Sequence, residues 1–177
     1  MTTGADTPFH REDDASIPAL VAAAQNGDAI AMNDLLDLLQ PRVSRLCGSI
    51  ALADGPDAAQ EALIAIFRAI GQLRQPEALF GWARAIAVRE AIRVARRTDR
   101  VVAAPLYEVP ASGDPQLAVD LDDVLGRLSP EHRAVLVLRD IEGLDQRQAA
   151  ALLDVEEGTV RSRLFRARER FRQQWGR

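Results

Sequence analysis

Apolar positions recur at intervals of three and four through most of this chain, the spacing that gathers them on one face of an α-helix. Leu20, Val21 and Ala24 make the first such face, Asn26-Gly27 marks a stop, and Asp28 can cap a second helix carrying Met32, Leu35, Leu36 and Leu39. Proline is tolerated in the first turn of a helix but not inside one, so Pro41 predicts a break near Gln40 and a new start through Val43, Leu46 and Ile50. Asp54-Gly55-Pro56 reads as a turn that opens the next helix, whose core face is Ala59, Ala62, Leu63, Ile66 and Ile70. Its other face is Asp57, Gln60, Glu61, Ile64 and Arg68, a polar stripe with an apolar residue inside it. Pro76 then opens a helix expected to run to about Arg97.

The pattern lapses at both ends of this block. Residues 1–16 are polar and acidic without a period and predict a disordered tail. Residues 98–116 are rich in proline and again aperiodic, as a linker would be. Periodicity resumes over 117–177. A helix is expected over 117–128, and a second from Ser129-Pro130, a cap followed by proline at the first helical position; Val135, Leu136 and Leu138 face its core and Gly143 ends it. Asp145 with Gln148 has the form of a capping box, predicting a short helix over 149–153, a turn over 154–157 and a last helix over 158–175. Val160, Leu164, Ala167, Phe171 and Trp175 close one side of that helix. No segment reads as a strand and none repeats. The fold class is therefore all-α: two small helical domains, 17–97 and 117–177, joined by a flexible linker.

Composition narrows the function by exclusion. No apolar run approaches the roughly 18 residues of a spanning helix, and the acidic start lacks the basic and apolar regions of a signal peptide, so a soluble, cytoplasmic protein without membrane insertion is expected. The lone Cys47 excludes an internal disulfide, and His10 and His132, the only histidines, form no metal-ligand cluster. Phosphate loops and nucleophile motifs are missing as well, so the reading is of a non-enzyme with no cofactor and no metal. All 22 basic residues are arginine. The net charge of −4 hides their segregation, with seven acids and one arginine over 1–40 against seven arginines and Glu169 over 161–177. Local basic patches of this kind point to nucleic acid.

Two constellations carry that chemistry. A short helix, turn and longer helix over 145–171 has the form of a helix-turn-helix, and Arg161, Ser162, Phe165 and Arg166 would project outward where a recognition helix meets base edges. Arginine suits the task because its planar fork can bond both acceptors of a guanine. In the first unit, Trp82, Arg89, Arg93, Arg96, Arg97 and Arg100 share an arc of about 100° on one helix. An aromatic beside a row of arginines offers a stacking surface together with phosphate contacts, the combination that holds single strands.

The motifs together resemble a known family. Asp54-Gly-Pro-Asp57-x-x-Gln60-Glu61, Phe67 and Phe80-Gly-Trp82-Ala-Arg-Ala-Ile86-Ala87 are similar to region 2 of the bacterial RNA polymerase sigma factors of the extracytoplasmic-function (ECF) group. Leu128-Ser-Pro130-Glu131, Arg139-Asp-Ile-Glu-Gly143-Leu144 and the run from Gly158 to Arg168 resemble region 4 of the same group, and the likeness spans about residues 17–175. It implies an alternative sigma factor that binds core RNA polymerase, through its clamp helices and flap, and directs and helps melt promoter DNA. Asp57, Gln60 and Glu61 would dock on the clamp helices, Trp82 would help open the minus-ten element, and Arg89, Arg93, Arg96 and Arg97 would grip the strand backbone. Arg139, Arg161, Ser162, Phe165 and Arg166 would contact the minus-thirty-five element. Control by an anti-sigma factor is common in the group.

Three departures from the family pattern stand out. Gly55-Pro56 replaces Ala-Glu, removing a carboxylate but keeping a helix start. Arg89 and Arg93 stand where asparagine and aspartate are frequent, which shifts weight there to phosphate contact. Asp154 replaces a turn glycine, and aspartate enters left-handed backbone more readily than most residues. The rival reading is a stand-alone helix-turn-helix regulator, which explains the second unit but leaves the Asp57 face and the Trp82 stripe without a role.

Overall fold

A computed structural model describes residues 16–99 and 123–175. The expected tail, most of the expected linker with Arg100, and half of the helix expected over 117–128 lie outside the described residues. Among those described, all regular structure is helical. The first unit contains α1 (Ile17–Gln25), α2 (Ala29–Ala51), α3 (Gly55–Ala69) and α4 (Leu79–Asp99); the second contains α5 (Pro130–Leu136), a π-helical turn (Val137–Ile141), α6 (Gln146–Leu153) and α7 (Glu157–Trp175).

Caps end these helices as the sequence predicts. The Asp28 carboxylate accepts from the backbone N–H groups of Ile30 and Ala31, at 2.9 and 3.1 Å, filling two of the donors that a helix start leaves orphaned. The Asp145/Gln148 box is complete, with Gln148 N–H donating to Asp145 at 2.7 Å and Asp145 N–H donating to the Gln148 side chain at 2.8 Å. Asp154 closes α6 in left-handed backbone at φ 52, ψ 51.

The expected break at Pro41 does not occur: α2 runs unbroken with Pro41 inside it. A proline in a helix interior costs about 3 kcal/mol. Against it stand Leu35, Leu39, Val43, Leu46 and Ile50, all buried on one stripe that straddles the proline, each contributing about 1.5–3 kcal/mol. Burial wins by a wide margin. Pro41 itself is exposed, so its ring meets solvent rather than packing. Arg42 lies beside it, donating to the Leu38 carbonyl at 3.0 Å and stacking 4.6 Å above the Phe80 ring of α4.

Gly55 explains a departure that the sequence left open. A Cβ there would sit 2.7 Å from the Gly48 Cα, so the start of α3 presses on the backbone of α2 where only hydrogen fits. Gln25, at the end of α1, donates to the carbonyls of Ile70 and Leu73 at 2.9 and 2.8 Å, tying the first helix to the loop before α4. In the second unit the π turn changes the expected core: Val135 and Leu138 are buried, but Leu136 is only half-buried and Val137 is buried instead. The widened turn ends at Gly143, with φ +65.

The two units are packed together. One hydrophobic cluster runs from Ile17 through α4 and into Ala134, Leu138, Leu144 and Val160 of the second unit.

Candidate functional site

α3 is amphipathic, and its buried side of Ala58, Ala59, Ala62 and Ile66, continued by Ile70 in the turn that follows, fixes what the other side shows. Asp57, Gln60 and Glu61 are all exposed there, on one face. Leu63, assigned to the core by the pattern, is half-buried and lines an open apolar groove with Leu36, Pro56, Ala59, Ile64 and Phe67. Phe67 is 53% and Ile64 38% exposed. An exposed aromatic and a branched aliphatic side by side are unusual enough on a small protein to mark a contact surface. The signal was present in the sequence, as apolar residues three apart within a polar stripe.

α4 runs alongside. Ala83, Ala87, Ala91 and Val94 are buried, and Arg89, Arg93, Arg96 and Arg97 are exposed as expected. Trp82 is half-buried and packed against the core, so part of its ring is open. The structure brings the α3 face and the α4 stripe together: Asp57, Gln60, Glu61 and Arg97 line one groove of about 260 Å³. Arg93 reaches Glu61 at 3.3 Å and Glu90 at 2.6 Å. The hydrogen bond that Arg93 donates to Glu90, with smaller help from Glu61, holds the Arg93 guanidinium above its already high ordinary pKa. Its charge is therefore fixed but partly answered by two carboxylates. Two stripes that the sequence treats as separate sites are thus joined by an ion pair.

The second unit presents α7 with Val160, Leu164 and Ala167 inward. Arg161, Ser162, Phe165 and Arg166 all point to solvent, Phe165 with 68% of its surface open. Ser162 donates to the Thr159 carbonyl at 3.0 Å, which leaves its oxygen free to accept. Arg139 differs from its four partners: it is half-buried and donates to the Leu144 carbonyl, so it braces the turn that leads into α6. Arg168 was not singled out by the sequence. It forms a two-pronged pair with Asp140, at 3.0 and 2.5 Å, clamping α7 to the π turn. Behind α7, the His132 imidazole sits 2.7 Å from the Ser129 hydroxyl. Burial, and then the positive charge of Arg170 and Arg163, push its pKa down.

Among the described residues no group of His, Cys, Asp and Glu could hold a metal ion, and no helix is long and apolar enough to cross a membrane. What the arrangement offers is two arginine-bearing faces and an apolar-acidic one on separate helices, the surface of a helical protein that binds nucleic acid and a protein partner at once. Residues 32–101 match the family described as Sigma-70 region 2, and residues 118–171 match Sigma-70, region 4. The chain is 33% identical over 170 residues to the ECF RNA polymerase sigma-E factor of Escherichia coli K12, covering 85% of this chain and 89% of that one. It is 36% identical over 163 residues to the ECF RNA polymerase sigma factor SigE of Mycolicibacterium smegmatis, covering 82% of this chain but 63% of that longer one. The fold is similar to that of the sigma factor RpoE solved with the anti-sigma factor NepR from Bartonella quintana, at TM-score 0.62 and 22% identity over 80% of this chain and 94% of that one. It is also similar to CnrH solved with the cytosolic domain of CnrY, at TM-score 0.61 and 24% identity over 89% and 96%. The chain belongs to the sigma-70 family, in its ECF group, and is an alternative sigma factor directing promoter-specific transcription.

Proposed function

We propose that this chain docks on the clamp helices of core RNA polymerase through the exposed face of α3, with Asp57, Gln60 and Glu61 as its polar contacts and Ile64 and Phe67 as its apolar ones. The observation that carries this is the continuity of that face: three exposed polar side chains and two exposed large apolar ones on a single helix. Trp82 offers a stacking surface to an unpaired minus-ten base, and Arg89, Arg93, Arg96 and Arg97 hold the strand through its phosphates. Arg161, Ser162, Phe165 and Arg166 enter the major groove at the minus-thirty-five element. Arg139 acts there as a positioning residue, since its guanidinium is engaged with Leu144. The second unit would also meet the polymerase flap. The work is done by binding energy in the cytoplasm, with no covalent step and no cofactor, and an anti-sigma factor, of the kind bound to the similar folds, would act on the same exposed faces.

Co-purification with core polymerase at moderate salt tests the docking face. The chain should be retained, and the Gln60→Ala/Glu61→Ala variant should be lost while staying folded. Retention of the variant would overturn the assignment, and loss of both with promoter DNA binding intact would favour the stand-alone regulator. For the reading face, Arg161→Ala should weaken binding by about 1–3 kcal/mol at one base pair of the promoter. An equal loss on every sequence would make Arg161 a phosphate contact.

A further inference from the structure

α1 lies ahead of residues 32–101, which match region 2, yet its last side chain reaches across 45 and 48 positions of sequence into that region. Both hydrogen bonds come from one atom, the Nε2 of Gln25, and they fall on carbonyls that bracket a short helical turn, Ile70–Gln72. The Leu73 N–H donates back to the Ile70 carbonyl at 3.1 Å, and Ile70 and Leu73 are both buried, so the turn is closed on itself and anchored. Irregular backbone follows over residues 73–75, then a second short turn, Pro76–Ala78, and then α4 with Trp82 in its first turn. At that end the Arg42 guanidinium of α2 stacks on buried Phe80. The segment that joins α3 to α4 is thus held near both ends by polar side chains of other helices, while Arg74 and Gln75 within it are exposed.

Stability is a poor account of the Gln25 bonds. Gln25 is exposed, and an exposed hydrogen bond exchanges a water contact for a protein one with little net gain. Water cannot, however, fix the distance between two carbonyls, whereas one amide nitrogen bonded to both does. Fixing it narrows the conformations open to the residues that follow, and a reading surface gains selectivity when its contacts are placed in advance. Arg74 carries a guanidinium fork, and Gln75 an amide that both donates and accepts, the groups that read the edge of an unstacked base. One short turn separates them from the helix whose Trp82 offers that base a stacking surface.

We propose that Gln25 is a positioning residue for base selection on the opened minus-ten strand: its double bond to the Ile70 and Leu73 carbonyls sets the loop over residues 73–75, so that α1 governs which base is accepted beside Trp82. This rests on the stacking role given to Trp82 under the proposed function. The test uses holoenzyme assembled from core polymerase and the full chain, challenged with single-stranded DNA randomised over the length of one promoter element, with the bound strands sequenced. The wild type should favour one base clearly over the others at one position or more. Gln25→Glu keeps the size of the side chain but turns the donor into an acceptor facing two carbonyls, and Gln25→Ala removes it without adding charge. Both should lower that preference about three- to tenfold, the scale of one hydrogen bond. Retention on core polymerase and the salt dependence of strand binding should match the wild type, because the docking face and the arginine contacts to phosphate are untouched. A wild type without preference, a preference that survives in both variants, or an equal loss of affinity for every base would overturn the proposal, the last by reducing Gln25 to support of the fold. Trp82→Ala keeps this inference apart from the reading beneath it. Weaker strand binding by Trp82→Ala, with preference intact in the Gln25 variants, would remove the role of Gln25 alone. Unchanged strand binding by Trp82→Ala would remove the stacking role and the role of Gln25 with it.

Discussion

The two units of this protein are held by different means. The second is assembled from local devices: a serine cap, a π turn ended by a glycine, a complete capping box, a left-handed aspartate and the Arg168–Asp140 clamp, nearly all joining residues close in sequence. The first depends on contacts between residues far apart or on close backbone approach, as at Gln25 with Ile70, Gly55 with Gly48, and Arg42 with Phe80. Local devices tolerate change in what surrounds them, whereas close approach does not. The unit proposed to read duplex DNA can therefore take substitutions on its exposed face of α7 with little effect on its fold, while the unit proposed to meet polymerase and the opened strand is constrained from within.

Breaking a contact of each kind tests that contrast, and the largest effect should come from the first unit. At an ordinary helical position Gly→Ala stabilises by about 0.4–1 kcal/mol. At Gly55 the added methyl would collide with the backbone of Gly48 at 2.7 Å, and the overpacking should destabilise by about 1–3 kcal/mol instead. Urea unfolding reads the sign directly. A gain in stability for Gly55→Ala would mean that α2 and α3 can separate at no cost, and the contrast would fail.

Removing a local device should cost less and stay confined. Asp145→Ala deletes the carboxylate that accepts from Gln148 N–H, with an expected loss of about 1 kcal/mol. Amide hydrogen exchange should show it as faster opening at the start of α6, with α1 to α4 unchanged. Exchange that rises equally in α2 would show instead that the two units unfold as one.

The same division governs what could be read from the sequence. The caps of Asp28, Ser129 and Asp145, the left-handed Asp154 and the outward set of Arg161, Ser162, Phe165 and Arg166 were all legible, because each depends on a few neighbouring residues and a fixed helical period. Pro41 misled for the opposite reason: a local rule was outweighed by a buried stripe whose partners come from other helices. Leu136 and Val137 exchanged places because a π turn alters the phase that a period of 3.6 assumes. Glu61 and Arg93 were each placed on the right face, but their contact is a matter of how α3 and α4 pack. The Arg84–Glu142 and Arg96–Glu131 pairs join residues 58 and 35 apart, and no pattern within one helix could pair them.

The smallest expected effect is a dependence of stability on pH, and it belongs to the second unit. Burial, then Arg170 and Arg163, with a smaller contribution from Arg166, hold the His132 pKa below the ordinary value of 6.5, against the opposing charge of Glu131. The unfolded chain therefore takes up a proton at His132 before the folded chain does. The contribution to stability is complete above about pH 6.5 and is lost as pH falls from there through the lower folded value. Thermal unfolding followed between pH 7.5 and 5.5 should show a falling midpoint for the second unit, and His132→Gln should flatten that slope while leaving the behaviour above pH 7 unchanged. Phosphates seated on Arg163 and Arg170 would cancel part of the positive field at His132, so duplex DNA should raise its pKa and make the loss of stability smaller. An imidazole whose titration is the same with and without DNA would place the phosphates elsewhere, and would confine DNA contact to the outward set on α7.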